Sequence, residues 1–458
     1  MAQRLPMRDL VAKYRTSGPR YTSYPTALQL RPMDEAEYRQ YLASASERTD
    51  DPWSLYVHVP FCEQRCTFCA CAVVATPARE RVSMPYTEAL LAEADLVGAE
   101  IRDRRGLAQL HLGGGTPTYL EPDTLRLLGS GLLTRFEAAA DMEFSVEVDP
   151  RVTTEAHLDV LAELGVNRVS AGVQDLDPTV QSLIGRTQPQ AQTRGLVEGC
   201  RARDLGEVNI DLVYGLPGQS VRTMMRTVDA VVSLQPDRLA LYGYAHVPWM
   251  RGNQKSIDES KLPGPDARLE MFLAARERLT AAGYVAIGLD HFAKPEDSLA
   301  RADRDGTLHR NFMGYTVQPC TDLLGLGVTS IGDVGGALVQ NTLKLSRYGD
   351  AVRNGRLPVE RGFERSSVDR LRGRVISDLM CRHRVDKAEI EHAFGIDFDD
   401  YFGVELERLQ PLRDDGLVHT SRDALVLTDV GRPFVRNAAM VFDAYLGGNK
   451  TQRHSSTV

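Results

Sequence analysis

The stretch SLYVHVPFCEQRCTFCAC, residues 54–71, joins a β-rich run to a loop that carries four cysteines. Its first six residues, rich in Val, Leu and Tyr, have the composition of a buried strand. The rest spaces Cys62, Cys66 and Cys69 as C-x3-C-x2-C, with Cys71 one residue beyond. Three thiolates on one tight loop suit a metal, and thiolate sulfur selects zinc or an iron–sulfur cluster. A structural zinc site needs a fourth ligand, which Cys71 could supply. Against zinc, the loop directly follows a strand, where a barrel places its active site, whereas structural zinc usually staples a small knuckle. Spacing alone leaves both open.

Outward from this strand the same pattern repeats. Short β-rich runs at residues 54–59, 108–112, 143–148, 168–173, 208–214, 238–244 and 285–289 alternate with longer amphipathic segments. In the segment that begins at Met84, Leu90, Leu91, Ala94 and Val97 recur at three and four residues and share one helical face. Six or seven such βα units predict an α/β fold, a partial or distorted (β/α) barrel over residues 51–330. Residues 1–50 are rich in Tyr, Pro and Ser without a clear period, so an irregular segment lying against the barrel is expected. After about Ser330 the alternation ceases, which predicts a mostly helical C-terminal domain over 331–445. The polar residues 446–458 read as a disordered tail. The C-terminal order of helix, helix, strand, turn, strand resembles a winged-helix module. It has no basic recognition face, so a structural role is expected.

Composition narrows the function classes. At 458 residues with 43% hydrophobic residues the chain can bury a large core. Sixty-two acidic residues against 54 basic ones give a net charge of −8 with no block of like charge. That balance argues against nucleic acid and anionic membranes as partners. No run approaches the ~18 apolar residues of a membrane span, and the first twenty residues lack the apolar core of a signal peptide. A cytoplasmic protein is expected. Of seven cysteines, four lie within residues 62–71, while Cys200, Cys320 and Cys381 are scattered. An odd, clustered set disfavours a disulfide framework and favours a reducing compartment.

Other residues could serve a site at the strand ends. Three glycines at 113–115, followed by Thr116, give a backbone free of side chains that a ligand could approach, or an ordinary tight turn. Glu147 and Asp149 close the third run, where a carboxylate could bind an ammonium or hydroxyl or simply be solvated. Tyr56 lies in the first run and reads equally as a core aromatic.

The cysteine spacing at the end of the first strand resembles the signature of the radical S-adenosylmethionine superfamily. Further segments, GPRYTSYPTAL, LYVHVPFC, LGGGTPTYL, VEVDP, GVQD, NIDLVYGLPGQ, YAHVP, LDHFA, LHRNFMGYT and TDLLGLGV, together resemble the oxygen-independent coproporphyrinogen III oxidases within it. The resemblance implies one [4Fe–4S] cluster on Cys62, Cys66 and Cys69, its fourth iron open to S-adenosylmethionine. Reductive cleavage would release a 5′-deoxyadenosyl radical, which takes hydrogen from the propionate carbon next to the ring. Two propionates of coproporphyrinogen III would lose CO2 and become vinyl groups, giving protoporphyrinogen IX.

The same resemblance assigns Tyr56, Gly114, Gly115, Thr116, Glu147 and Ile331 to a first S-adenosylmethionine. It assigns Phe68, Gln174, Arg186, Asp211 and Ala245 to a second. Tyr56, Cys71 and Glu147 are implied to be needed for catalysis, and retention of Cys71 separates these oxidases from haem-chaperone relatives. Met313 stands where the family pattern has glutamine. A tetrapyrrole substrate, an electron donor such as flavodoxin or ferredoxin, an unidentified electron acceptor and a monomeric state are expected. Other outcomes implied by related chemistry are a radical methyltransferase, a cyclopropane-forming enzyme or a haem-binding chaperone.

Overall fold

The computed structural model describes residues 5–446 and Thr457. Its frame is a sheet of thirteen strands, numbered here in chain order. They are β1 (Arg31–Pro32), β2 (Trp53–Val59), β3 (Leu107–Gly114), β4 (Ala138–Val148), β5 (Arg168–Gln174), β6 (Glu207–Tyr214) and β7 (Arg238–Gly243). The remainder are β8 (Val285–Ile287), β9 (His291–Ala293), β10 (Asp322–Leu326), β11 (Ile331–Val334), β12 (Ala337–Asn341) and β13 (Val359–Glu364). The spatial order is β1-β13-β12-β11-β10-β2-β3-β4-β5-β6-β7-β9-β8. Strand β10 and strands β2 to β7 run parallel, and antiparallel strands extend both flanks. The order is linear and its ends do not pair, so the barrel is partial.

Alternation explains how a layer of helices and a polar interior coexist. Along β5, Val169, Ala171 and Val173 are buried and join the main core with Leu196 and Val197 of the helix Gln190–Ala202. The intervening Arg168 and Ser170 point the other way. Arg168 pairs with Glu143, and Ser170 donates to Asp211. Similar polar links run Ser54 to Gln109 and Gln109 to Glu143, so side chains on the face away from the helices stitch neighbouring strands together. All six parallel strands β2 to β7 therefore deliver their carboxyl ends, and the loops beyond them, to one rim.

The predicted helix over residues 84–101 is found as Arg79–Glu100, with Leu90, Ala94 and Val97 fully buried and Leu91 partly so. Residues beyond 330 differ from expectation. Strands β11 to β13 continue the large sheet as an antiparallel meander, so residues 331–364 pack with the barrel rather than with a helical domain. Their short runs pair antiparallel with next neighbours, β11 and β12 through a tight turn and β12 and β13 across the helix Leu345–Arg353, so the parallel βα pattern of the earlier strands does not continue. The helical module begins at Ser367–Arg382, capped by Ser366 and Asp369. It contains the three-stranded sheet of Arg384–Asp386, Ala424–Leu427 and Val418–Thr420.

The first fifty residues are also more regular than expected. They hold helices Met7–Tyr14 and Glu35–Ser46, the second closed by a capping box of Asp34 and Glu37. The segment around residues 18–24 is clasped by both halves: Arg436 donates to Gly18 O and to Pro19 O (2.8 Å), and Tyr21 OH donates to Asp443 Oδ2 (2.9 Å). Arg20 pairs with Asp290. The tail expected at 446–458 lies almost wholly outside the described residues. Among those described, no helix is long and apolar enough to cross a membrane.

Candidate active site at the cysteine loop

The cysteine loop leaves β2 at Pro60 and returns through a short parallel pairing of Phe61–Cys62 with Val74–Ala75. Its root is locked to the second strand's end: Gly115 N donates to Val59 O (2.8 Å) and Thr116 N to Phe61 O (2.9 Å). A Cβ on Gly115 would lie 2.7 Å from Phe61 O, and one on Gly114 would lie 2.4 Å from the His58 ring. Gly114 also has φ +108°, a region that disfavours other residues. The glycines thus let the cysteine loop and His58 pack on the main chain; their smallness is used by the protein itself.

A second clamp was not legible in the sequence. Asn253, in the turn Gly252–Ser256, donates through Nδ2 to Cys66 O (3.2 Å), Thr67 O (3.0 Å) and Cys69 O (2.9 Å). Gln254 Nε2 donates to Phe68 O (2.8 Å) and Ala245 O (3.2 Å). The contacts to the cysteine loop cross more than 180 residues and leave no local spacing to read.

The sulfurs are close enough to feel one another. Burial pushes the Cys62 thiol up to about 11, with Thr116 Oγ1 at 3.5 Å opposing and Cys69 and Cys66 adding to the rise. Cys69 is lowered, chiefly by a hydrogen bond from Cys71, whose own thiol is held well above its usual range by that bond. Cys66 Sγ accepts from Arg186 Nη1 (3.7 Å) and Arg151 Nη2 (3.8 Å). These two cations suit a thiolate, the ligating form of cysteine. Three thiols of one loop, two guanidiniums and a main-chain cradle fit a thiolate-bound cluster. Among the described residues, no three Cys, His, Asp or Glu side chains converge on a point for one ion, so the fit rests on the chemistry and placement of this donor set.

Beside the loop a chain of hydrogen bonds crosses the strand ends. Ala72 O meets His58 Nε2 (3.0 Å), and His58 Nδ1 meets Tyr56 OH (2.8 Å). The Tyr56 ring stacks on His111 at 5.8 Å, and His111 Nε2 lies 3.4 Å from Glu147 Oε1. Gly114 N donates to Glu147 Oε2 (2.9 Å). Burial alone would raise the Glu147 carboxyl, but His111 and Gly114 N outweigh it and hold it below its usual range. Across from it, burial pushes Asp211 up to about 7, with the Glu147 charge adding to the rise.

Arg186 is buried in the loop after the helix Pro178–Leu183. It donates to Asp149 Oδ2 (2.9 Å) and to Gly172 O, and its Nε has no partner among the described residues. Its fork is therefore largely engaged by protein groups. Gln174 ends β5 with φ +70°, a strained conformation at a strand end. Phe68 packs with Val180, Ile184 and Tyr244, while Ile331 opens β11 beside Gly325. Met313 sits in the turn between His309–Asn311 and Gly314–Thr316, its N–H donated to Asn311 Oδ1 (2.9 Å).

Comparison with known proteins agrees with this geometry. Residues 56–231 match the family model of the radical SAM superfamily, and residues 366–434 match that of the HemN C-terminal domain. Oxygen-independent coproporphyrinogen III oxidase from Pseudomonas aeruginosa is 42% identical over 456 residues, covering 98% of each chain. The Escherichia coli oxidase is 42% identical over 442 residues, covering 95% of each. A solved structure described as coproporphyrinogen III oxidase (HemN) from Escherichia coli superimposes with a TM-score of 0.91 at 39% identity, covering 97% of this chain and 100% of that one. The chain belongs to the oxygen-independent coproporphyrinogen III oxidase family of radical SAM enzymes.

Proposed function

We propose that this protein decarboxylates two propionates of coproporphyrinogen III to vinyl groups without oxygen, giving protoporphyrinogen IX. The observation that carries the reading is the near-full-length relation to coproporphyrinogen III oxidases, which includes the cysteine loop and the C-terminal module. Cys62, Cys66 and Cys69 would hold a [4Fe–4S] cluster, which with bound S-adenosylmethionine would supply the hydrogen-abstracting radical. Per propionate, one hydrogen atom, one CO2 and one further electron leave the substrate. The electron goes to an acceptor outside the chain, and a donor such as flavodoxin or ferredoxin provides the reducing electron.

The protein's own groups do the positioning. Glu147, kept ionised by His111 and Gly114 N, offers a fixed carboxylate to the amino or ribose groups of the first S-adenosylmethionine. Tyr56, Gly115, Thr116 and Ile331 complete its bed. Asp211 stands ready to hold a proton near neutrality. Phe68, Gln174, Arg186, Asp211 and Ala245 surround the place of a second S-adenosylmethionine, with Arg186 acting mainly through Asp149. Cys71, close to Cys69 but outside the three-thiolate set, serves turnover. A cytoplasmic monomer fits this chemistry. The direct test is carboxyl-labelled coproporphyrinogen III under anaerobic conditions. Two labelled CO2 per tetrapyrrole support the reading; no labelled CO2 with a methylated product would favour a radical methyltransferase instead.

A further inference from the structure

Next to the cysteine loop lies a cavity of about 320 Å³ that none of the residues assigned above explains, apart from Ala245 on its wall. It opens between the rim at the end of β7, the N-terminal helix and the C-terminal module. Four arginines line it: Arg15, Arg20, Arg268 and Arg436. Among the described residues the one carboxylate in the lining, Asp290, is already taken by Arg20 and His291. Much of the remaining wall is apolar, with Leu241, Leu269, Leu289 and Phe272 beside Tyr214 and Tyr244, and His246 and Thr457 add polar groups. A positive cavity with oily walls and one engaged counter-charge suits an anion carried on a flat hydrophobic body.

The arginines crowd one another. Burial lowers Arg268, and Arg15 lowers it further. Burial lowers Arg436 to about 9, with Arg20 the next cause. Arg268 donates to Tyr244 O (2.6 Å) and is given room by Gly215, where a Cβ would lie 2.8 Å from its Nε. The cavity is mechanically joined to the radical site. Gln254, which accepts from Val247 N (2.6 Å) and donates to Ala245 O on the cavity wall, also donates to Phe68 O in the cysteine loop.

We infer that this cavity anchors substrate through the propionate carboxylates that survive the reaction, with Arg268 and Arg15 as their principal partners and Arg20 at the edge. The inference rests on the reaction proposed above. A tetrapyrrole carries propionates that are lost and propionates that are kept. A propionate gripped here by charge-assisted pairs has its own ring-side carbon held away from the cysteine loop, where hydrogen is taken. A basic anchor therefore suits the kept pair, leaving the reacting edge of the macrocycle toward the cysteine loop. The volume admits one edge of the ring rather than the whole.

The test uses full-length, cluster-loaded protein and three fluorescent probes. Coproporphyrin III has four free propionates, protoporphyrin IX keeps two, and coproporphyrin III tetramethyl ester has none. Wild type is expected to bind both acids more tightly than the ester. Arg15→Ala, at an exposed position, and Arg268→Gln, which keeps a donor for Tyr244 O, should each weaken both acids by about tenfold and leave the ester unchanged. The KM for coproporphyrinogen III should rise with kcat little altered. Equal binding of acids and ester, unchanged acid binding in both variants, or a loss confined to coproporphyrin III would overturn the inference. A wild type that converts no coproporphyrinogen III defeats the reaction and this inference together. Normal conversion with variants that bind normally defeats the cavity alone.

Discussion

Arg186 Nη1 lies 2.9 Å from Asp149 Oδ2 and 3.7 Å from Cys66 Sγ, so one guanidinium ties the end of β4 to the middle cysteine. Asp149 is buried and keeps its charge because Arg186 and Arg151 both reach it, overcoming the rise that burial would impose. Arg186→Ala should cost about 1–3 kcal/mol in urea unfolding of the apoprotein, since Arg151 still covers part of the buried charge. Arg186→Lys should recover less than half of that, because an ammonium cannot span Asp149 and Gly172 O as a planar fork does. An unchanged urea midpoint in Arg186→Ala would show that the pair carries no stability.

Asn253 provides a sharper test of the loop. Its amide has two N–H bonds to share among three carbonyls of the cysteine loop. Asn253→Asp replaces those donors with a carboxylate facing carbonyl oxygens, so it should be worse than Asn253→Ala. Iron and sulfide per chain after anaerobic reconstitution are expected to fall in the order wild type, Ala, Asp. Full loading of Asn253→Asp would mean that the loop is ordered without this clamp.

The cysteines are expected to divide three to one. Changing Cys62, Cys66 or Cys69 to Ala should abolish cluster loading, while Cys71→Ser should load iron normally and lose turnover. Loss of the cluster in Cys71→Ser would indicate a four-thiolate site.

Asp211 gives a pH signature. Its carboxyl titrates near 7 in the fold, raised first by burial and then by Glu147, while Asn209, Ser170 and Arg168 pull it down. The stability gained from holding that proton is fully present below the ordinary value of 3.8 and is lost as pH rises through about 7. Asp211→Asn keeps an acceptor for Asn209 Nδ2 and can donate to Ser170 Oγ, yet does not titrate. The variant should therefore gain on wild type between about pH 4 and pH 7 by an amount on the order of a few kcal/mol, then run parallel above it. Parallel stability curves throughout would rule out the raised carboxyl.

Much of the frame was legible because the parallel strands announce themselves. Runs at 54–59, 108–112, 143–148, 168–173, 208–214, 238–244 and 285–289 each coincide with a strand, with ends shifted by a few residues. Strand β10 was hidden inside the glycine-bearing segment TDLLGLGV, and β11 and β12 are short runs joined by a tight turn, with a single helix, Leu345–Arg353, before β13. The cysteine loop and Glu147 stood out by residue type and by place at a strand end. His58, His111, Asn253 and Arg151 did not: the fold brings His58 to Ala72 O, His111 to Glu147, Asn253 to the cysteine loop and Arg151 to Cys66. The reading of the three glycines changed most, since their neighbours turned out to be His58 and the root of the cysteine loop.

The most direct measurement follows S-adenosylmethionine and the tetrapyrrole together in one anaerobic turnover of coproporphyrinogen III with a reductant. Methionine and 5′-deoxyadenosine should accumulate alongside protoporphyrinogen IX, with no carbon added to the ring system. S-adenosylhomocysteine with a methylated tetrapyrrole and no vinyl product would contradict the assignment of this chain as a decarboxylase.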